Sequence, residues 1–177
     1  MKTRQSYWSD FKQNEKGRYS YQGAWYSYRY RQMNRRQLLA GLWALCVIML
    51  GAAIAAGCLP PGSMPATYVS AAFVLFMYMA SLISGISVFW SLGRLSAGRT
   101  RIRRYVYETS LRKIPFRSGM AAGFAGMAVL GQAVYLGIHG LGRISSGGAL
   151  FLVLELIALA AALGIQRITS QMEWSLC

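Results

Sequence analysis

Charged residues are missing from a long stretch of this chain. No Lys, Arg, Asp or Glu occurs between Gln37 and Gly93, and only five acidic residues occur in all 177 positions. About a quarter of the residues in a soluble domain are charged, against 14% here. The uncharged stretch is long enough for two membrane crossings. The bilayer is therefore the expected solvent, and the net charge of +14 does not make nucleic acid an expected partner.

Reactive and metal-binding residues are also few. The three cysteines form no CxxC pair, and the single histidine cannot complete a multi-histidine metal site. The chain has no GxxxxGK[ST] loop, no HExxH helix and no GxSxG turn, the sequence motifs of P-loop nucleotide hydrolysis, zinc proteolysis and α/β-type hydrolysis. We expect no metal or cofactor. No motif supports enzyme activity, which the sequence neither predicts nor excludes.

Apolar residues are abundant and fall into four segments. The first would be about 33 Å long as a helix, which is enough to span a bilayer, and Pro60 and Pro61 then end it. A lipoprotein signal ending at Cys58 is opposed by the long polar region before it. The sequence predicts an all-α membrane protein, a bundle of four transmembrane helices at residues 38–59, 66–92, 118–138 and 148–166.

Basic residues are distributed unevenly between the polar segments. Residues 1–36 hold nine Lys and Arg, and the connector at 93–117 holds eight. The loop after the first segment holds none, the loop after the third holds only Arg143, and the tail at 167–177 holds only Arg167. The positive-inside rule then predicts that both termini and the connector are cytoplasmic. This pattern suits a multi-pass protein of a bacterial cell membrane.

The N-terminal region is rich in aromatic residues. Tyr19 and Tyr21 alternate with polar residues before Gln22-Gly23, and a second alternating run, 25–30, follows. Period-two alternation around a glycine turn is typical of a β-hairpin. We expect a small hairpin at the membrane surface, as an interfacial anchor or as a docking element for another protein.

The connector can form a basic amphipathic helix over residues 99–113, which Pro115 would end. Ile102, Tyr105, Val106 and Thr109 share one face, and basic residues lie to the sides. Such a helix lies flat on anionic lipid. The candidate contacts to lipid headgroups or to a partner protein are Arg101, Arg103, Arg104, Arg112 and Lys113.

One acidic residue, Glu155, lies inside an apolar segment. A charge near the bilayer centre costs on the order of 2.5–3.5 kcal/mol, so its side chain should face protein or water. Gln132 of the preceding segment falls at a similar depth if the two segments are neighbours. Gln132, Tyr135 and His139 share one face and complete a predicted polar cluster. It is either a hydrogen-bonded clamp between Gln132 and Glu155 or a proton- or cation-accepting site.

Three classes of function fit these patterns. The favoured one is a non-catalytic subunit or accessory component of a membrane complex, acting through other membrane subunits or self-association. The second is a small transporter or channel subunit with Glu155 in its pathway. The third is a lipid-modifying enzyme whose basic connector holds headgroups, although it lacks the paired catalytic residues that such chemistry uses.

The predicted topology can be tested by cysteine labelling from outside intact cells. In a cysteine-free background, a cysteine introduced at Gly62 should react with an impermeant maleimide, because it lies in the outer loop. A cysteine at Thr100 should react only after permeabilisation. The reverse pattern would overturn the predicted orientation.

Overall fold

The computed structural model describes residues 11–13, 19–29, 34–59, 68–97, 102–139 and 146–176. These residues are mostly helical. The helices are α1 (Arg35–Gly57), α2 (Tyr68–Ala97), α3 (Arg104–Thr109), α4 (Ile114–His139) and α5 (Ser146–Ser170). The strands are β1 (Phe11–Gln13), β2 (Tyr19–Tyr21), β3 (Trp25–Arg29), β4 (Ile102–Arg103) and β5 (Glu173–Leu176).

Three of the four long helices can cross a membrane by length and composition. These are Arg35–Gly57, Ala72–Ala97 within α2, and Gly148–Ser170 within α5. The prediction of membrane-spanning helices is confirmed for these three, and the finding does not extend to α4. Helix α4 is equally long, with 26 residues, and it packs between α2 and α5.

The four long helices pack as a ring. Helix α2 contacts α4, α4 contacts α5, α5 contacts α1, and α1 closes the ring against α2. Small residues bring the backbones close, since a Cβ at Gly85 would lie 3.2 Å from the Met49 side chain and one at Gly164 would lie 3.3 Å from Leu45. Lipid gives no hydrophobic force between helices, so close van der Waals packing of this kind holds them together.

The N-terminal region contains a hairpin, as predicted, but its pairing differs from the prediction. Strand β2 pairs with β1 rather than β3, with Phe11 opposite Tyr21. Strand β3 pairs antiparallel with both β4 and β5, in a three-stranded sheet of order β4-β3-β5. Gln22 and Gly23 therefore lie between two sheets. Aromatic contacts favour the observed pairing, because Tyr26 of β3 stacks on Tyr107 with ring centroids 4.4 Å apart.

The connector is not the single helix expected over residues 99–113. Its described part contains β4, the six-residue helix α3 and a 3-10 turn at Leu111–Lys113. Strand pairing removes residues 102 and 103 from the helix, and Ser110 leaves helical geometry at φ −123° and ψ −57°. Pro115 lies in the first turn of α4, where its missing N–H costs no hydrogen bond.

Three separated parts of the chain thus meet at one end of the helix ring. We call this layer the cap; it consists of residues 11–13, 19–29, 102–113 and 173–176. Its aromatic centre is continuous, because Tyr107 also contacts Trp174 of β5, with ring centroids 5.0 Å apart. Strand β3, which precedes α1, therefore lies on the same side of the bundle as β4, which follows α2, and β5, which follows α5.

Candidate functional site: a buried polar pair and a basic cap

Glu155 lies in the interior of the helix ring. It is nine residues from the start of α5, about 14 Å along the helix axis, and its exposed fraction is 0%. Ala158 and Ala162 are buried on the same face of α5. The carboxyl group therefore points into protein, as expected for an acid within an apolar segment.

Gln132 is also buried, with an exposed fraction of 2%, and it lies on the neighbouring helix α4. Within the described part of the chain, neither oxygen of Glu155 nor Oε1 of Gln132 has a hydrogen-bond partner. Glu155 therefore does not make the hydrogen bond on which the clamp interpretation depends. Leaving buried polar groups unpaired costs about 1–3 kcal/mol each.

A buried tyrosine on α2 packs one helical turn away from Glu155. The Tyr78 hydroxyl donates a hydrogen bond to the Ala53 carbonyl of α1, at 2.8 Å. Its ring lies 6.1 Å from that of Phe151, one turn before Glu155. Gly57 makes room for the hydroxyl, since a Cβ there would collide with it.

The predicted polar cluster also includes Tyr135 and His139. Tyr135 is half-buried on α4, one turn beyond Gln132. The side chain of His139 and the whole of Arg143 fall outside the described residues. Among the described residues, no three His, Cys, Asp or Glu side chains come together to hold a metal ion.

In the basic connector, the exposed side chain of Arg103 lies against aromatic rings of the cap. Its guanidinium lies 5.9 Å from the ring centroid of Phe11, 5.5 Å from that of Tyr21 and 6.0 Å from that of Trp25. Each distance is within the range of cation–π attraction. Three aromatic rings thus surround a residue that the sequence predicts as a lipid or partner contact.

The remaining predicted contacts divide into two groups. Arg104 forms an ion pair with Glu108, with Nε and Oε1 2.8 Å apart. Arg112 and Lys113 are exposed on the 3-10 turn, and their side chains have no hydrogen bond or ion pair within the described part of the chain. Arg101 lies outside the described residues.

Two further arginines of the connector hold helix ends together. Arg94 of α2 donates a hydrogen bond to Ser110 Oγ at 2.8 Å and lies over the Trp90 ring. Arg117 of α4 donates to Ser91 Oγ of α2, whose side chain is fully buried. The sequence does not distinguish these two arginines from their neighbours. An arginine near a membrane boundary looks the same in sequence whether its side chain binds another helix or faces lipid.

These observations define a class of protein. Three apolar helices of membrane-spanning length, packed in one ring with an aromatic and basic layer at one end, are those of a multi-pass integral membrane protein. The chain matches no protein-family model, and neither a curated protein nor a solved structure matches it.

The missing partners of Glu155 lead to a stability prediction. Glu155→Met should raise the free energy of unfolding in detergent by about 1–3 kcal/mol, because it removes an unsatisfied buried carboxyl group at similar volume. The melting temperature should rise by several degrees. The control is the same change at the exposed residue Glu173, which should alter stability by less than about 0.5 kcal/mol. A loss of more than about 1 kcal/mol would show that Glu155 acts as a clamp.

Proposed function

We propose that the chain crosses a bacterial cell membrane four times, with the cap and both termini in the cytoplasm. The sheet supports an even number of crossings, because β3 precedes α1 while its two partners, β4 and β5, follow α2 and α5. Helices α1 and α2 carry the chain away from the cap and back to it. If α5 crosses the membrane to return to β5, α4 has to cross it in the other direction.

The distribution of charge supports the cytoplasmic side for the cap. Of the 19 Lys and Arg residues, 17 lie in residues 1–36 or in the connector, and the positive-inside rule places such segments in the cytoplasm. The loop between α1 and α2, at the other end of the ring, has no charged residue.

Within this arrangement, we propose that the protein is a non-catalytic component of a membrane complex and that its cap contacts the partner. The cap is the observation that carries this proposal. It joins three distant segments through aromatic contacts, and Tyr105, Arg112 and Lys113 are exposed on it. Aromatic residues and arginine are enriched where proteins bind each other. A layer of this kind can hold a partner subunit or a second copy of the chain.

Purification in mild detergent tests the subunit proposal. The chain should elute in a complex that contains stoichiometric partner chains or further copies of itself, as measured by light scattering and mass spectrometry. Trp174→Ala removes the contact between Trp174 and Tyr107 and should weaken the complex by up to about tenfold, since an aromatic pair contributes roughly 0.5–1.5 kcal/mol.

The matched control lies on the lipid-facing surface of the bundle. Phe76 of α2 is 67% exposed, so Phe76→Ala should leave the complex intact. Recovery of the wild-type chain as a lone monomer would contradict the subunit proposal. Loss of the complex in Phe76→Ala but not in Trp174→Ala would move the interface from the cap into the membrane.

The second candidate function is transport through a pathway that includes Glu155. The specific observation in its favour is the buried Glu155 carboxyl group, which has no hydrogen-bond partner among the described residues; Gln132 Oε1, on the neighbouring helix α4, is also buried and unpaired there. Intramembrane acids of this kind mark proton and ion pathways. Four helices rarely enclose a pore alone, so this candidate also requires an oligomer.

Proteoliposomes distinguish the two functions. If Glu155 accepts a proton or cation during transport, a pH or potential gradient should drive a flux that Glu155→Gln reduces by more than about tenfold. Ser81→Ala is the control, because Ser81 is buried on α2 but donates to the Ala121 carbonyl of α4, away from the Glu155 carboxyl. A wild-type flux no greater than that of empty liposomes, or one that Glu155→Gln leaves unchanged, would exclude this pathway.

A further inference from the structure

A groove runs between the start of α4 and the end of α5, next to the cap. Its part facing away from the cap has a volume of about 480 Å³ and is lined by Phe116 and Leu163 together with Gln166 and Arg167. A neighbouring cavity of about 330 Å³ shares Pro115 and Ser170 with it and reaches Arg112. Each volume lies within the range of small-molecule sites.

One face of α5 gives the groove its polarity. Leu163, Gln166, Arg167 and Ser170 follow helical i, i+3, i+4, i+7 spacing, so they lie on the same face. Leu163 is about 10 Å farther from the cap than Ser170. The groove is therefore apolar toward the middle of the bundle and cationic toward the cap.

The two arginines of the groove have free guanidinium groups. Arg167 and Arg112 are exposed, and within the described part of the chain neither guanidinium makes a hydrogen bond or an ion pair; only the Arg167 carbonyl accepts one, from Ser170 Oγ. Arg103 and Arg104, by contrast, are engaged by aromatic rings and by Glu108. No acidic side chain lines either cavity. Two unengaged guanidinium groups thus line these adjoining cavities.

We propose that this groove binds one anionic phospholipid of the cytoplasmic leaflet. Arg167 and Arg112 hold the headgroup phosphate, and an acyl chain lies along Leu163 and Phe116. The proposal rests on the membrane arrangement given above, but it does not require the chain to be a subunit of a complex. Arg167 comes from α5, so the site joins the tail helix to the connector.

The exposed apolar residues favour a lipid over a soluble phosphate. Phe116 is 69% exposed and Leu163 is 49% exposed, and both border the groove directly. A soluble phosphate ester would leave these side chains uncovered, whereas an acyl chain would cover them. The guanidinium groups suit a phosphate because their planar N–H donors match its oxygens.

Lipid binding can be measured by native mass spectrometry on the purified full chain. The wild-type protein should retain one phosphatidylglycerol and prefer it to phosphatidylcholine. Arg167→Gln and Arg112→Gln should each weaken phosphatidylglycerol binding roughly fivefold, in line with the contribution of a basic residue near an anionic surface. Arg36→Gln is the matched control, because Arg36 is exposed at the same end of the bundle but lies outside the groove. It should change binding less than twofold.

Three outcomes would overturn the proposal. The first is equal binding of phosphatidylglycerol and phosphatidylcholine. The second is an equal loss in Arg36→Gln and Arg167→Gln, which would indicate a general charge effect. The third is displacement of the lipid by glycerol 3-phosphate at a similar concentration, which would indicate a soluble phosphate ligand. Thermal unfolding of each variant without added lipid checks that the variant is folded. Lipid binding can also be measured on a monomeric protein, so this test does not depend on the subunit proposal.

Discussion

The pairing of β3 with both β4 and β5 joins segments that lie far apart in the chain. Ser27 and Ser175, whose hydroxyl oxygens are 3.1 Å apart, are separated by 148 positions. Closing such a loop costs entropy, and the four residue pairs between β3 and β5 contribute little in return. The helices reduce that cost, because each antiparallel pair already returns the chain to the same end of the bundle. The sheet and the helix ring therefore depend on each other. The ring brings the strands together, and the sheet joins the helix ends at the cap.

Inside the ring, contact between helices depends on small residues, and this has a consequence for the polar pair. The buried positions of α4 and α5 are largely alanine, including Ala121, Ala125 and Ala161. Side chains of this size leave little freedom to rearrange, and close-packed interiors transmit rather than absorb a change in volume. Glu155 and Gln132 sit among them without hydrogen-bond partners in the described part of the chain. Any rearrangement that gave them partners would therefore disturb the close packing between α4 and α5.

The apolar segments could be predicted from the sequence because the signal for them is local and continuous. Glu155 and Gln132 were assigned similar depths by counting helix rise from a short loop, and the structure places both in the ring interior. The cap could not be predicted in the same way. Strand β4 has two residues, and Trp174 gives no local sign of its contact with Tyr107. Pro115 was expected to stop a helix, yet a proline also suits the first turn of one, and only the neighbouring structure decides between them.

The sequence is equally ambiguous about what each basic residue contacts. The number of basic residues therefore predicts membrane orientation better than it predicts lipid contacts. Counting Lys and Arg predicts which side of a membrane a segment occupies, because every cation contributes to that bias. The structure separates these cations by what they touch: Arg94 and Arg117 donate to serines, and Arg103 lies among aromatic rings. A guanidinium engaged in this way is less available for a headgroup, although it counts equally in the charge pattern. The number of basic residues therefore overestimates the surface available to lipid, and Arg112 and Arg167 are two whose guanidinium groups are free and lie beside apolar side chains.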